Sequence, residues 1–229
     1  MLTADEIRAR LRAVRDRIDA AARRAGRAPE SIRLVLASKT QPPEAIRAAY
    51  DAGAREFGEN YVQEAVAKRD ALGNLADLRW HLIGHLQSNK VKLAAAAFAM
   101  IQTLDSETLA AALARAHKVP PLPVLIEINL GGEASKHGVA PEAATRLIDA
   151  ARSLVDVRGL MAIPPPGETA EDSRRWFVGL RELRDRLARA SGLALSDLSM
   201  GMTDDFEVAI EEGATIVRVG RAVFGERLR

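Results

Sequence analysis

After residue 30 the chain alternates two patterns. Short branched apolar runs read as buried strands, and longer stretches with an apolar residue every three or four positions read as helices. The runs fall at 32–37, 55–57, 79–83, 98–102, 123–128, 157–161, 197–199 and 216–219. Helical stretches lie between them, near 43–53, 59–71, 88–96, 105–116, 141–152, 170–190 and 204–212. In the sixth of these, Thr169 and Asp172 frame the start, and Trp176, Leu180, Leu183 and Leu187 form the predicted buried stripe. A further helix leads the chain. Thr3-Ala4-Asp5-Glu6 is a capping box, and Ile7, Leu11, Val14, Ile18, Ala22 and Ala25 follow at helical spacing. That helix spans about six turns at 3.6 residues each and ends near Gly26.

Eight strands, seven intervening helices and one leading helix predict an α/β fold: a single (β/α)8 TIM barrel with an added N-terminal helix, one domain over 1–229. A barrel needs a helix over every gap, and the sequence stops ten residues after the last predicted strand, at 219 of 229. The N-terminal helix is expected to cover that gap. A doubly wound open sheet is the alternative, but no Gly-x-Gly-x-x-Gly turn follows the first strand.

Composition narrows the function. Hydrophobic residues make up 48% and charged residues 28%, as in soluble globular proteins. A net charge of only +2, with acids interleaved among the arginines, argues against a nucleic-acid partner. The arginines of the first helix read as a solvated face. Without cysteine there is no disulfide, thiol catalysis or thiolate metal site. The N-terminus lacks a signal-peptide layout and no uncharged segment approaches the roughly 20 residues of a membrane span. A cytoplasmic protein without a membrane partner is expected.

Candidate chemistry collects after the strands, where barrels of this type carry function. Lys39 closes the first run, Ile32-Arg33-Leu34-Val35-Leu36-Ala37-Ser38-Lys39, before the Pro42-Pro43 break. A partly desolvated lysine has a lowered pKa and can form a Schiff base with a carbonyl; a snorkelling strand-end lysine is the plainer reading. Asn60, after the second strand, is either a helix cap or a ligand contact. His81 and His85 straddle the end of the third strand with no evident third metal ligand, so His81 is assigned a packing or polar pocket role.

Ser199-Met200-Gly201 and Gly220-Arg221 end the seventh and eighth strands, where such barrels commonly hold phosphate. Arg218, between Val217 and Val219, must meet either a core acid or a polar ligand. A Schiff-base lysine, a phosphate cradle and an interior arginine are joined by a phosphorylated aldehyde. Pyridoxal 5′-phosphate fits best, with its aldehyde on Lys39, its phosphate by Ser199 and Gly220, and its ring nitrogen facing Arg218.

The ordered motifs Ala37-Ser38-Lys39-Thr40, Phe57-Gly58-Glu59-Asn60, Trp80-His81-Leu82-Ile83-Gly84-His85, Asn129-Leu130-Gly131-Gly132-Glu133-Ala134-Ser135-Lys136-His137-Gly138, Gly159-Leu160-Met161, Ser199-Met200-Gly201 and Arg218-Val219-Gly220 resemble the pyridoxal phosphate homeostasis protein family over nearly the whole chain. The resemblance implies a barrel akin to the N-terminal domain of alanine racemase. It also implies a cofactor carried on Lys39 and a buffering or delivery role toward pyridoxal-phosphate-dependent apoenzymes rather than a reaction of its own. A racemase-like or Schiff-base aldolase activity is the alternative. Two positions depart from the pattern: Gln41 stands where many relatives have a second lysine, and Arg221 replaces a small hydroxyl residue. Lys136, in the glycine-rich loop after the fifth strand, is either a second amine in cofactor transfer or a solvent-exposed lysine that only solubilises the loop.

Overall fold

A computed structural model describes residues 2–73, 75–117, 121–133 and 136–226; Ala134 and Ser135 of the glycine-rich loop lie outside the described residues. Eight parallel strands close into a barrel in chain order: β1 (Arg33–Ala37), β2 (Glu56–Glu59), β3 (Arg79–Leu82), β4 (Met100–Leu104), β5 (Pro123–Glu127), β6 (Asp156–Met161), β7 (Asp197–Ser199) and β8 (Ile216–Val219). β8 returns to pair with β1, Arg33 opposite Ile216 and Leu36 opposite Val219. Parallel neighbours need crossover connections, and the helices supply them: α2 (Pro43–Asp51), α3 (Val62–Leu72), α4 (Val91–Ala97), α5 (Glu107–Ala116), α6 (Ala144–Ala151), α7 (Arg174–Ser191) and α8 (Phe206–Glu211).

The leading helix, α1 (Ala4–Arg24), starts at the expected capping box: the Thr3 hydroxyl accepts from the Glu6 N–H while the Glu6 carboxylate accepts from the Thr3 N–H. Its buried stripe of Ile7, Leu11, Val14, Ile18, Ala21 and Ala22 packs against α2 and α8. It therefore covers the β8–β1 gap, as the pattern requires. The opposite face is less idle than expected. Arg17 forks onto Glu207 and lies over the Phe206 ring, and Arg24 bonds Glu211, so α1 is clamped to α8.

Several details differ from the pattern. β4 starts two residues late because Phe98 still caps α4, its N–H donating to Ala94. Glu59 stays in β2, its carbonyl accepting from Ile83, so α3 begins only at Val62. A one-turn helix, α9 (Arg221–Phe224), follows β8 and was not anticipated. In α7, Phe177 rather than Trp176 is buried with Leu180, Leu183 and Leu187, and Trp176 instead carries the Arg175 guanidinium on its ring.

Inside the barrel, alternation on each strand sends Val35, Met100, Leu125, Met161 and Ile216 to one apolar cluster. This layer plugs the middle of the barrel. Polar residues on the same inward-facing positions lie above and below it.

Candidate functional site

At the C-terminal ends of the strands a cavity of about 650 Å³ is lined by Ala37, Lys39, Asn60, Ile83, Ile163, Arg218, Gly220 and Arg221, among others. This volume falls within the roughly 300–1,000 Å³ of small-molecule sites. Lys39 is half-buried on its wall. Its backbone is fixed on both sides. The Ser38 carbonyl accepts from Lys68 Nζ at 2.8 Å, and the Thr40 N–H donates to Glu64 Oε1 at 2.7 Å. Thr40 adopts φ +67°, a left-handed conformation that a non-glycine residue holds only under such restraint.

Behind Lys39, Lys68 also bonds Glu59 at 2.8 Å and Glu64 at 2.6 Å, and the Ser38 hydroxyl donates to Glu59 at 2.6 Å. Glu59 is fully buried. Burial pushes its carboxyl up, against the pull of Lys68 and Ser38. Sequence reasoning missed this network, although Glu64 and Lys68 sit one helical turn apart and could have been paired from the sequence.

Arg218 reaches the cavity from β8 and is 4% exposed. It donates to the Ser199 hydroxyl at 2.5 Å and to the Ala162 carbonyl at 2.9 Å. Burial lowers its pKa to about 10, while Asp205 and Glu127 favour the cation, so it is charged at neutral pH.

Ser199 faces the barrel interior rather than the cavity wall. Its hydroxyl donates to Gln102 at 2.6 Å while accepting from Arg218. Gln102 in turn bonds His81 Nδ1 at 3.0 Å, and His81 Nε2 meets Glu56. A polar chain thus runs Arg218–Ser199–Gln102–His81–Glu56 across five strands. Ser199 bonds Arg218 directly and His81 stands two bonds further along, both on inward-facing positions of their strands.

Met200 points outward into the core between barrel and helices, and its N–H is taken by the Ile216 carbonyl. Gly201, at φ +89°, turns the chain under α8 and accepts from the Arg218 N–H. Of the predicted phosphate residues, Gly220 and Arg221 do reach the cavity, joined there by Thr203. A Cβ on Gly220 would sit 3.0 Å from the Ala37 carbonyl oxygen, so glycine lets β8 close against β1 at the mouth. The Arg221 guanidinium is exposed and bound to Asp204, with Glu226 at 3.4 Å. Asn60 lines the cavity and is not the helix cap, because Tyr61 holds that position.

The sequence model of the alanine racemase N-terminal domain matches residues 9–228. A pyridoxal phosphate homeostasis protein of Aquifex aeolicus is 51% identical over 95% of this chain and 97% of its own. The chain belongs to the pyridoxal phosphate homeostasis protein family. Its Escherichia coli counterpart is 44% identical, with 97% of each chain covered. Among solved structures of the family, PipY of Synechococcus elongatus with pyridoxal phosphate bound superposes with a TM-score of 0.83 at 38% identity, covering 96% of this chain and all of PipY. Among the described residues, no helix is long and apolar enough to cross a membrane.

Proposed function

We propose that this chain binds pyridoxal 5′-phosphate in the cavity at the C-terminal end of the barrel, holds it on Lys39, and acts in pyridoxal phosphate homeostasis by buffering the cofactor or delivering it to apoenzymes. The observation that carries this reading is the pairing in one cavity of an amine on a fixed backbone, Lys39, with a buried cation, Arg218. The residues fit the group. Lys39 offers the nucleophile for the aldehyde, Arg218 a charged donor for the ring side, and Thr203, Gly220 and Arg221 a polar rim for the phosphate. The bound cofactor supplies an electrophilic aldehyde and a conjugated ring. Ser199 and Ala162 hold Arg218, and the Glu59–Lys68–Glu64 network holds the Lys39 backbone.

A carrier is favoured over a racemase-like or aldolase enzyme by Arg218. Arg218, were it to meet the ring nitrogen, would disfavour its protonation and weaken the ring as an electron sink. The names of the relatives, homeostasis proteins rather than enzymes, support the same choice. The test is to incubate the purified protein with pyridoxal 5′-phosphate, reduce with borohydride and map the adduct. A phosphopyridoxyl group on Lys39 is the expected result. An adduct confined to other lysines, or none, would overturn the reading.

A further inference from the structure

A second group of ligand-type side chains lies on the same end of the barrel, outside the cavity lining. His85 follows β3, Asp105 follows β4, and His137 sits in the loop after β5. Each offers a ligand atom, and these atoms lie within 4.8 Å of one another. The His85 and His137 rings stack at 3.9 Å between centroids with 9° between planes, and His85 Nδ1 is 3.2 Å from Asp105 Oδ2.

The supports are firmer than the exposed rings suggest. A Cβ on Gly84 would lie 2.5 Å from the Asn60 carbonyl oxygen, so the β3 loop is pressed onto β2 just before His85. The Thr103 hydroxyl donates to the Gly84 carbonyl at 2.8 Å, tying that loop to the end of β4 two residues before Asp105. The base of the third loop is paired through Val139 N–H to the Glu127 carbonyl and Asn129 N–H to the Val139 carbonyl.

We propose that His85, Asp105 and His137 form a binding site for one divalent first-row transition-metal ion, which clamps the loops after β3, β4 and β5. Two imidazoles and one carboxylate suit zinc, cobalt, nickel or ferrous iron, and leave coordination positions open to water. Bonds of about 2.0–2.2 Å hold tetrahedral ligand atoms about 3.3–3.6 Å apart, so closing the site from its present spacing takes a shift of about 1–2 Å. Exposed rings achieve this by turning out of the stack about Cβ–Cγ. The Asp105 carboxylate, 3.2 Å from His85 Nδ1, draws a cation toward this corner of the barrel, and the two imidazoles fix where it stops.

The proposal stands apart from the cofactor reading and its test uses neither Lys39 nor pyridoxal phosphate. Titrating the chelator-stripped chain with Co²⁺ should give visible ligand-field bands saturating at one equivalent, and Zn²⁺ should displace them. His85→Ala and His137→Ala should each weaken Co²⁺ binding by more than the roughly 10–100-fold that outer-shell changes cost. His117→Ala should bind as the parent does, because His117 lies at the end of α5, on the Ala95 carbonyl. Zn²⁺ should raise the melting temperature of the parent and of His117→Ala, but not of His137→Ala. If Co²⁺ does not saturate the parent by about 1 mM, or binds His137→Ala as tightly, the three residues are a stacked ring pair with a carboxylate partner and nothing more. His137 is exposed, so its variant keeps the fold and the test remains decisive even if His85→Ala does not.

Discussion

At the N-terminal end of the barrel Arg33 pairs with Asp197 at 2.6 Å, and Glu56 takes both Arg79 at 3.6 Å and the His81 ring. At the C-terminal end Glu59 and Glu127 each keep one buried oxygen with no hydrogen-bond partner among the described residues. The pKa shifts diverge accordingly. Burial would raise the Glu56 carboxyl, but His81, Arg79 and Arg33 hold it below the usual range. Burial, then Asp105, pushes Glu127 up to about 7, with Arg218 pulling against them. One end has settled its charges internally. The other keeps unspent hydrogen-bonding and electrostatic capacity around a cavity, which is what a binding site must hold in reserve.

The largest expected effect separates the two ends completely. Lys39→Ala should abolish the borohydride-trappable adduct at the cavity while leaving the melting temperature near that of the parent, because Lys39 lies beyond the packed apolar layer. Weak, non-covalent binding through Arg218 and the rim should persist. A trapped adduct still found in the cavity would show that the amine was misassigned.

Next in size is Lys68→Met. Its side chain is 7% exposed, and its ammonium bonds the fully buried Glu59. Removing one partner of a buried pair typically costs about 3–5 kcal/mol. Denaturant unfolding should show that loss, and Lys39 should react more slowly with the aldehyde, since the Ser38 carbonyl and Glu64 would lose their anchor. A cost below about 1 kcal/mol would mean that water replaces Lys68 and that the end is less dry than it looks.

How much of this was legible in the sequence follows from the range of the interactions. Strand positions and the barrel were readable where burial on both faces imposes apolar runs, most plainly in β1 and β5. Lys39 was readable because it terminates such a run. The orientations of Ser199 and Met200 were not: facing inward or outward depends on register, and one residue of slip reverses it. Ser199 points inward, where its hydroxyl bonds Arg218 and Gln102. Glu127 had left a trace, a lone acid at the end of Pro123-Val124-Leu125-Ile126, but its neighbours Asp105 and Arg218 come from the loop after β4 and from β8. The meeting of His85 with Asp105 and His137 joins three loops, so no local spacing announces it.

A pH series sharpens the contrast through Glu127. Its pKa is near 7 in the folded chain against an ordinary value of 4.5, so the folded state holds this proton more tightly than the unfolded one. The stabilisation is complete below the unfolded value and is lost as pH rises through about 7. At 1.36 kcal/mol per unit, the loss is about 3 kcal/mol at most. Glu127→Gln, which stays neutral, should unfold with a flatter pH dependence between those limits. An identical slope in the parent and the variant would place the titration elsewhere.

The smallest effect is expected at the opposite end. Arg33 is 35% exposed and Asp197 15%, and the pair closes the N-terminal mouth of the barrel rather than a cavity. Exposed and half-exposed ion pairs contribute about 0–1 kcal/mol, because water solvates either partner once the other is gone. Arg33→Ala should therefore cost no more than about 1 kcal/mol in denaturant unfolding and leave cofactor loading on Lys39 unchanged. Both readings matter, since Val35 and Ile216 lie between this pair and the cavity. That layer separates the pair from the cavity, and the polar chain from Arg218 through Ser199, Gln102 and His81 ends on Glu56 rather than on Arg33 or Asp197. Should Arg33→Ala alter loading as strongly as it alters stability, the apolar layer would be transmitting strain between the ends, and the division of the barrel into a settled floor and a poised mouth would fail.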